Sequence, residues 1–333
     1  MPDLQPPADA VFDQYAEIKH PDVFPDALKL LKNLLTDKSI PWTSNGTKDD
    51  VELSTYQPDP PLPAPVCRGI GSFPKGLAAE QILPVVHQLA CRKYWDERYK
   101  LGFQSLRYSR TLVRFYAVQK GVGEGWFAVV APRDFTGYSG HVKEVGEDGV
   151  TRYYFLQTSA EFDDVPEVSG TVRGQTSLAG WVLEEGTEGV KCTYIVKFDP
   201  KGSIPGYLLE AVVKETPLCI ARVRSFIEKK GLVPHVNIHD NFPGQLRQEF
   251  LKNTAGDDAN FNDAQFQLVF SWFGTPGSFD IHFDSQWENG VKVVTEEGTE
   301  GVDFDLVRER GKVTVIVKEG AKDKKLKIIV SRA

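Results

Sequence analysis

Apolar residues recur every three or four positions between Pro25 and Leu35, and charged residues occupy the positions between them. This spacing predicts an amphipathic helix whose apolar face packs on another element. Residues 1–22, which are polar and contain several prolines, are predicted to form a flexible N-terminal arm. Two further helices are predicted at 77–88, with Pro84 inside it, and at 91–98.

Much of the chain up to residue 198 consists of the short apolar runs that are typical of β-strands. Two runs flank a proline-rich loop at 58–65, and seven more follow with glycine-containing turns between them. This pattern predicts a meandering antiparallel sheet. The runs cover residues 51–56, 66–73, 111–119, 126–131, 138–145, 152–159, 170–178, 181–184 and 191–198.

A long amphipathic helix is predicted from Ile204 to Lys230, and Gly231 is a natural stop for it. Pro217 lacks the backbone N–H that a helix interior needs, so the helix is predicted to be interrupted there. The interruption is either a hinge between two helices, which could gate a cavity, or a plain structural kink.

After Pro234 the pattern changes to six strand-like runs, many of which alternate apolar and polar residues. This alternation predicts a small β-sandwich. The runs cover residues 266–273, 279–283, 287–295, 302–308, 312–318 and 325–331. The predicted organisation is therefore an arm at 1–22, a mixed helical and β domain at 23–233, and a β-sandwich-like domain of unassigned role at 234–333.

The charge balance argues against nucleic acid as a partner. The 333 residues carry 46 acidic and 39 basic side chains, a formal net charge of −7, so no domain-wide basic field exists to neutralise phosphates. The four cysteines are far apart, and the N-terminus has neither the basic nor the apolar segment of a secretion signal. Apolar runs are much shorter than the ~20 residues of a membrane helix. We therefore expect a cytoplasmic location with peripheral membrane contact at most.

Sequence motifs for catalysis or cofactor binding are missing. There is no phosphate-binding loop, nucleophile elbow or zinc-protease motif, and the glycines at 121–125 lie between two strands, where they form a turn. His235, His239 and Asp240 could hold zinc only if they shared a helix turn, which their surroundings do not predict. The sequence predicts no enzyme activity, no cofactor and no metal site.

Six lysines lie between Lys312 and Lys327. On one face of a hairpin they would attract anionic lipid headgroups. On an edge strand they would instead prevent edge-to-edge pairing, and this second interpretation is favoured.

Four segments resemble, in the same order, the motifs of the START domain, a lipid-transfer module. Residues 77–83 followed by Arg92-Lys-Tyr-Trp-Asp96 resemble its helix and R-x-x-W-D signature. Residues 132–135, 162–173 and 198–205 are similar to its R-D-F, x-P-x-x-x-G-x-[IV]-R and D-x-K-G-x-[IL]-P motifs. The resemblance covers about residues 25–231. It implies an α+β helix-grip fold, in which a curved antiparallel sheet closed by a long C-terminal helix encloses an apolar cavity for one lipid.

The resemblance also implies which residues face that cavity. Phe155 and Tyr194 match lining positions, and the alternation of strand residues brings their neighbours to the same face. A cage for a choline headgroup could be formed by Tyr116, Trp126, Tyr153 and Tyr194, with Arg114 near a phosphate. Ordinary core packing is the alternative for each apolar residue. The predicted lipid-binding residues are Arg114, Tyr116, Trp126, Tyr153, Phe155, Gln157, Thr176, Tyr194, Val196, Leu209, Val213 and Ile220, with Pro217 as the gating hinge.

One position departs from the sterol-binding members of the family. These carry an arginine a few residues after R-D-F that pairs with an acid inside the cavity, whereas this chain has Ser139 there. The resemblance therefore implies a lipid ligand, either a sterol or a phospholipid.

The expected function is the non-enzymatic binding and intermembrane transfer of one lipid, with transient contact to a membrane surface. Two alternatives remain. The chain could be a lipid-responsive regulatory or scaffold protein that contacts a protein partner through residues 234–333, or an enzyme that uses a helix-grip cavity, such as a cyclase or hydrolase.

Overall fold

The computed structural model describes residues 15–123, 129–238, 242, 244–253, 264–272, 276–284, 287, 291–295, 303–320 and 322–331. These residues form two units, which we call the N-terminal unit (residues 15–230) and the C-terminal unit (residues 235–331). Within the described ranges, no helix has both the length and the apolar character needed to cross a membrane.

A ten-stranded, almost wholly antiparallel sheet is the framework of the N-terminal unit. Its strands are β1 (Thr43–Lys48), β2 (Val51–Tyr56), β3 (Val66–Phe73), β4 (Tyr99–Arg107), β5 (Leu112–Gln119), β6 (Arg133–Val145), β7 (Thr151–Ser159), β8 (Val172–Arg173), β9 (Gln175–Gly186) and β10 (Gly189–Asp199). Their order is β1-β2-β3-β10-β9-β7-β6-β5-β4, and the short β8 pairs in parallel with β6. The meander that alternating residues predict is therefore present.

Three differences from the predicted elements have simple causes. The helix predicted at 91–98 ends at Trp95, and residues 99–107 form β4. The runs at 170–178 and 181–184 join into the continuous strand β9, because Gly180 does not interrupt the pairing. β1 was not predicted, since all six of its residues are exposed and so carry no apolar alternation.

The two faces of the sheet are covered by different helices. On the outer face lies α1 (Val23–Thr36), whose buried Leu31 and Leu34 pack in one cluster with Leu178 and Val182 of β9. On the inner face lie α2 (Ala79–His87), with Pro84 inside it, and α3 (Leu89–Trp95). The inner face is the side on which a cavity can form.

The predicted interruption at Pro217 is present. The segment consists of α4 (Gly206–Glu215), a 3-10 turn at Thr216–Leu218 and α5 (Cys219–Lys230), and Gly231 with φ of 78° ends it. The turn lies very close to β3, because a Cβ atom on Gly69 would approach the Pro217 Cβ to 2.8 Å and the Pro217 carbonyl oxygen to 2.9 Å. Glycine at position 69 is what lets the turn pack directly on the sheet.

The C-terminal unit contains two four-stranded antiparallel sheets. Its strands are β11 (His235–Ile238), β12 (Gly244–Asn253), β13 (Ala264–Trp272), β14 (Gly277–His282), β15 (Val291–Thr295), β16 (Phe304–Glu309), β17 (Lys312–Val317) and β18 (Lys325–Ser331). The sheet orders are β11-β14-β17-β16 and β12-β13-β18-β15. Alternate residues of both sheets, among them Phe266, Phe279, Val315 and Ile328, are fully buried. The sequence pattern missed β11 and β12.

Two of the clustered lysines have acidic partners within the C-terminal unit. The Lys312 ammonium lies 3.1 Å from the Glu309 carboxylate, and that of Lys318 lies 2.8 Å from the Asp305 carboxylate. These pairs join neighbouring strands β16 and β17, so part of the positive charge is neutralised locally.

The two units share one buried apolar cluster, to which α3 and β12 both contribute. Polar contacts strengthen the junction. The Trp287 indole N–H donates to the Leu232 carbonyl at 3.0 Å, the Leu232 N–H donates to the Asp284 carboxylate at 2.9 Å, and Arg110 donates to the Ile238 carbonyl at 3.3 Å. The C-terminal unit is therefore packed against the N-terminal unit.

Candidate functional site

A narrow cavity of about 60 Å³ lies between the inner face of the sheet and the α4–α5 segment. We call it the main cavity. Its wall combines apolar and polar side chains from α3 and the residues just after it, from six strands and from the α4–α5 segment around Pro217. The lining residues are Arg92, Asp96, Arg98, Tyr99, Phe115, Ala117, Gln119, Phe135, Gln157, Thr176, Ala179, Tyr194, Val196, Phe198, Val212, Thr216 and Cys219.

Strand register explains which predicted residues reach this wall. Val196 of β10 is paired with Ala179 of β9, which is paired with Gln157 of β7, so all three side chains lie on one face. Tyr194 belongs to the same face. Four of the predicted residues, Gln157, Thr176, Tyr194 and Val196, line the main cavity.

Tyr153 and Phe155 also face inward but lie away from the main cavity. Phe155 contributes to a second cavity, described below. The Tyr153 hydroxyl lies 3.3 Å from the Glu80 carboxylate of α2. These two side chains therefore help to pack α2 onto the sheet.

The helical residues predicted for the wall lie next to it. Val213 and Ile220 are buried, and Leu209 is partly buried against the same core. Their sequence neighbours Val212 and Cys219 contribute to the wall instead. Pro217 is buried against β3 in the turn, at the place predicted for the hinge.

Arg114 and Tyr116 require a correction, because the structure places them on the opposite face of the sheet. Their neighbours Phe115 and Ala117 line the main cavity, so alternation along β5 directs Arg114 and Tyr116 to the outer face. Arg114 forms two hydrogen bonds with the Asp164 carboxylate, at 2.8 and 2.9 Å, and Tyr116 donates to Asp134 at 3.0 Å. The predicted choline cage cannot include Tyr116 together with Tyr194. Trp126, which was also predicted for it, lies outside the described residues.

A buried ion pair forms the polar end of the main cavity. The Arg92 Nε donates to the Asp96 carboxylate at 2.9 Å, and its Nη1 donates to Gln157 Oε1 at 2.9 Å. Burial alone would raise the pKa of Asp96, but the Arg92 guanidinium outweighs this effect and holds that pKa below its usual value. This pair is not the arginine–acid pair of the sterol-binding members, whose arginine position is occupied by Ser139 in this chain. Its sequence signal was the spacing of four residues between Arg92 and Asp96, which suits an ion pair at the end of a helix.

Arg98 connects this polar end to the α4–α5 turn. Its guanidinium Nη2 donates to the Thr216 hydroxyl, and its backbone N–H donates to the Asp96 carboxylate at 3.2 Å. Thr216 in turn donates to the Val212 carbonyl of α4 at 2.6 Å. One hydrogen-bonded chain therefore links the buried acid, Arg98 and the end of α4.

Large aromatic side chains occupy much of the remaining interior. Trp181 stacks on Tyr194 with ring centroids 4.2 Å apart and meets Trp95 edge-on at 6.0 Å. The Trp95 indole N–H donates to the Val85 carbonyl at 3.1 Å. Neither tryptophan is among the residues predicted for the interior, although Trp181 alternates with Ala179 and Leu183 along β9.

A second, smaller cavity of about 20 Å³ lies where the two units meet. His87 of α2 and His141 of β6 stack there with ring centroids 5.7 Å apart, and Glu249 of β12 faces them. Burial lowers the pKa of His87 to about 4 and that of His141 to about 3, and raises the pKa of Glu249. Ser139 belongs to this cavity and accepts a 3.4 Å hydrogen bond from Gln157, which also lines the main cavity.

The four cysteines are free and buried. Burial raises the pKa of the Cys67 thiol to about 12 and that of the Cys219 thiol to about 11, so neither is a thiolate near neutral pH. Cys219 lines the main cavity, but this environment disfavours its use as a nucleophile.

The comparisons with known proteins agree with this architecture. Residues 31–226 match the family model described as START domain. Among solved structures, human STARD10 is 16% identical with a TM-score of 0.51, covering 61% of this chain and 78% of that one. Human StAR-related lipid transfer protein 5 is 16% identical with a TM-score of 0.50, covering 63% and 98% of the two chains. At these identities the likeness is one of fold. The comparison with curated proteins finds no match.

Proposed function

The chain belongs to the START domain family, and from this premise we propose that it binds one lipid, of the sterol or phospholipid class, in the main cavity and transfers it between membranes without chemical change. The observation that carries the proposal is the wall itself. It joins an apolar sheet face to the separate helix α4, so one element can open while the sheet stays fixed.

The size of the main cavity supports a mechanism that includes movement. A volume of about 60 Å³ is well below the roughly 300–1,000 Å³ of typical small-molecule pockets. A lipid therefore needs α4 to move away from the sheet, and the turn at Thr216–Leu218 is the natural place for that movement. We expect α5, whose Ile220 and Val223 are fully buried, to stay in place.

The chemistry of the wall supports transfer rather than catalysis. The described lining residues include no histidine, the carboxylate of Asp96 is paired with Arg92, and burial keeps the thiol of Cys219 protonated. A general base for an enzyme reaction needs a free group with a suitable pKa within reach of its substrate. These groups instead form a fixed polar end for a bound molecule.

A matched pair of tryptophan variants on α4 tests the proposal. Val212 lines the main cavity, whereas its neighbour Ala211 is exposed. We expect Val212→Trp to lower the amount of lipid that the protein takes from liposomes by on the order of tenfold, because overfilling a packed interior is costly. Ala211→Trp should bind as the original chain does. Bound lipid is measured by extracting the re-purified protein and profiling the extract by mass spectrometry.

The outcomes separate the possibilities. If the original chain enriches no lipid from the liposomes, the proposed function is wrong. If Val212→Trp and Ala211→Trp both bind lipid normally, the main cavity is not the binding site. Transfer of a fluorescent lipid from donor to acceptor vesicles then checks whether binding leads to transport.

The junction of the units favours a second candidate function, that of a lipid-responsive regulatory protein. Glu249 of the C-terminal unit lines the second cavity, and Gln157 connects that cavity to the main one. Lipid in the main cavity could therefore change how the units contact each other. Hydrogen exchange of β12 with and without lipid tests this candidate, and unchanged exchange counts against it.

A further inference from the structure

The charged groups of the main cavity do not balance. Among the described lining residues, Arg92 and Arg98 carry positive charges and Asp96 carries the only negative one. Asp96 is committed to Arg92 through a 2.9 Å ion pair. The wall therefore holds one positive charge in excess, and that charge belongs to Arg98.

The hydrogen-bonding groups of Arg98 are only partly used. A guanidinium has five N–H donors in a planar fork. In the part of the chain that the structure describes, the side chain of Arg98 donates to a single neutral acceptor, the Thr216 hydroxyl. Arg98 is half-buried and lines the main cavity, so donors that no described protein group accepts lie at the cavity wall.

Such a group is costly to enclose without an anion. When α4 closes over a ligand, water leaves the wall, and a charge without a partner in an apolar surrounding is unfavourable. A sterol hydroxyl or an uncharged glyceride would supply one neutral hydrogen bond, which leaves the charge uncompensated. A phosphate or carboxylate would supply both the charge and two acceptor oxygens that match the fork.

We infer that the main cavity selects a lipid with an anionic group, either a phosphate ester or a carboxylate, and that Arg98 binds this group beside Thr216. The inference rests on the proposed function and narrows its substrate class. Gln119 and Thr176, which also line the wall, are polar residues that could complete the surroundings of the anion. The lipid's apolar part would then lie against Phe115, Phe135 and Val196.

Pairs of lipids that differ only in charge provide the test. Vesicles contain oleic acid with methyl oleate, or phosphatidic acid with diacylglycerol of the same acyl chains. The full chain is incubated with them and re-purified, and the bound lipids are quantified by mass spectrometry. We expect the charged member of at least one pair to be enriched by on the order of tenfold. Enrichment in the first pair alone identifies a carboxylate, and in the second alone a phosphate.

Substitutions then assign the effect to Arg98. Arg98→Gln should remove most of the preference, while binding of the uncharged members persists and shows that the fold is intact. Arg98→Lys keeps the positive charge but loses the planar set of N–H donors, so it should retain part of the preference for the charged lipid. The control is Arg222→Gln, because Arg222 of α5 pairs with Glu215 of α4 and does not line the cavity.

The results that would contradict the inference about the anionic group differ from the result that would contradict the proposed function. Equal binding of charged and uncharged members by the original chain overturns the inference but leaves lipid binding intact, and so does an unchanged preference in Arg98→Gln. If no member of either pair is bound, while mass profiling of cell-extract liposomes also finds none, the proposed function itself fails. Should Arg98→Gln not fold, the comparison of lipid pairs with the original chain still decides the inference.

Discussion

Asp96 shows how one side chain can stabilise both a fold and a site. It is 3% exposed, accepts hydrogen bonds from Arg92 and from the Arg98 backbone, and so fixes both arginines at the polar end of the main cavity. Losing this carboxylate would leave Arg92 buried with its charge uncompensated. Breaking such buried pairs is among the most destabilising single changes in proteins.

We therefore expect Asp96→Asn to lower the free energy of unfolding by about 3–5 kcal/mol. The measurement is a urea titration followed by circular dichroism at pH 7. The control is Glu210→Gln, which removes an exposed pair with Lys214 on α4 and should leave the urea midpoint unchanged. A midpoint for Asp96→Asn equal to that of the original chain would show that the ion pair contributes nothing net.

The same ion pair predicts a dependence on pH. The pKa of Asp96 is lower in the folded chain than in the unfolded one, so its stabilising contribution is complete above the unfolded value of about 3.8. It is lost as the pH falls through the folded value. Acid unfolding of the original chain below pH 4 should thus be less steep in Asp96→Asn, as measured by fluorescence at a series of pH values.

Gly69 lies directly against the Pro217 turn. We expect Gly69→Ala to displace the turn, because the added methyl group would lie 2.8 Å from the Pro217 Cβ. The thermal midpoint should fall, and lipid should exchange faster. Gly206, where an added Cβ atom meets nothing within 4 Å, provides the control substitution Gly206→Ala. Equal effects of the two alanines would exclude the close contact as the cause.

At the scale of elements, the break between α4 and α5 is either a hinge that moves or a kink that stays fixed, and a substitution at Pro217 distinguishes the two. Pro217→Ala restores a backbone donor and a strong helix former, so the junction should become stiffer. We expect slower transfer of a fluorescent lipid between vesicles, with equilibrium binding little changed. Pro84→Ala in α2, which also replaces a proline inside a helix, should leave the transfer rate as it was. An unchanged rate in Pro217→Ala would favour the plain kink.

The elements of the N-terminal unit are largely predictable because most of them have a strong local pattern. The strands at 51–56 and 66–73 and the interrupted helix at 204–230 follow directly from apolar spacing and one proline. β1 has no such pattern, since its residues are all exposed and only pairing with β2 makes it a strand. Local patterns cannot show pairing with a distant or exposed partner.

The site was less predictable for a related reason. Alternation predicts that Gln157, Tyr194 and Val196 share one face, and the strand pairing places them on one face, whereas the absolute face of β5 depends on its register with β6. An error of one residue in that choice moves Arg114 and Tyr116 to the other side of the sheet. The contact between Arg98 and Thr216 joins residues 118 positions apart, and no local signal predicts it.

For the whole molecule, the second cavity links folding of the two units to pH. His87 and His141 are half-buried beside Arg107, Arg110 and Glu249, and desolvation lowers their pKa values to about 4 and about 3 from the ordinary 6.5. At a pH between the ordinary histidine pKa of the unfolded chain and the lowered pKa values of the folded chain, the unfolded chain binds more protons than the folded one. Acidification through this range therefore favours unfolding. The raised pKa of Glu249 acts in the opposite direction and offsets part of this effect.

We expect stability to fall by on the order of 1–2 kcal/mol for each histidine between pH 7 and pH 5. His141→Asn should flatten this dependence, measured as the urea midpoint against pH. His20→Asn serves as the control, because His20 contacts Phe162 and the Glu161 carbonyl, away from this cavity. A slope that His141→Asn leaves unaltered would show that the buried ring does not titrate in this range.

The shared core also limits how the C-terminal unit can be studied. Removing residues 235–333 would expose α3 where it contacts β12 and would leave Arg107 and Arg110 without Glu249. A loss of function after such a deletion would therefore report damage to the N-terminal unit. Substitutions on outward-facing positions of the C-terminal unit, such as the exposed Val307, test a partner surface without that damage.

Because the Pro217 turn packs directly on Gly69 of the sheet, α4 can rotate about a point that stays in place. The helix has 10 residues and is therefore about 15 Å long. A rotation of about 20° at Thr216 would move the far end, near Gly206, by about 5 Å, while Pro217 hardly shifts. That displacement is comparable with the width of an extended acyl chain. A small torsional change at one turn is thus amplified into an aperture wide enough for lipid to pass, and the sheet need not deform.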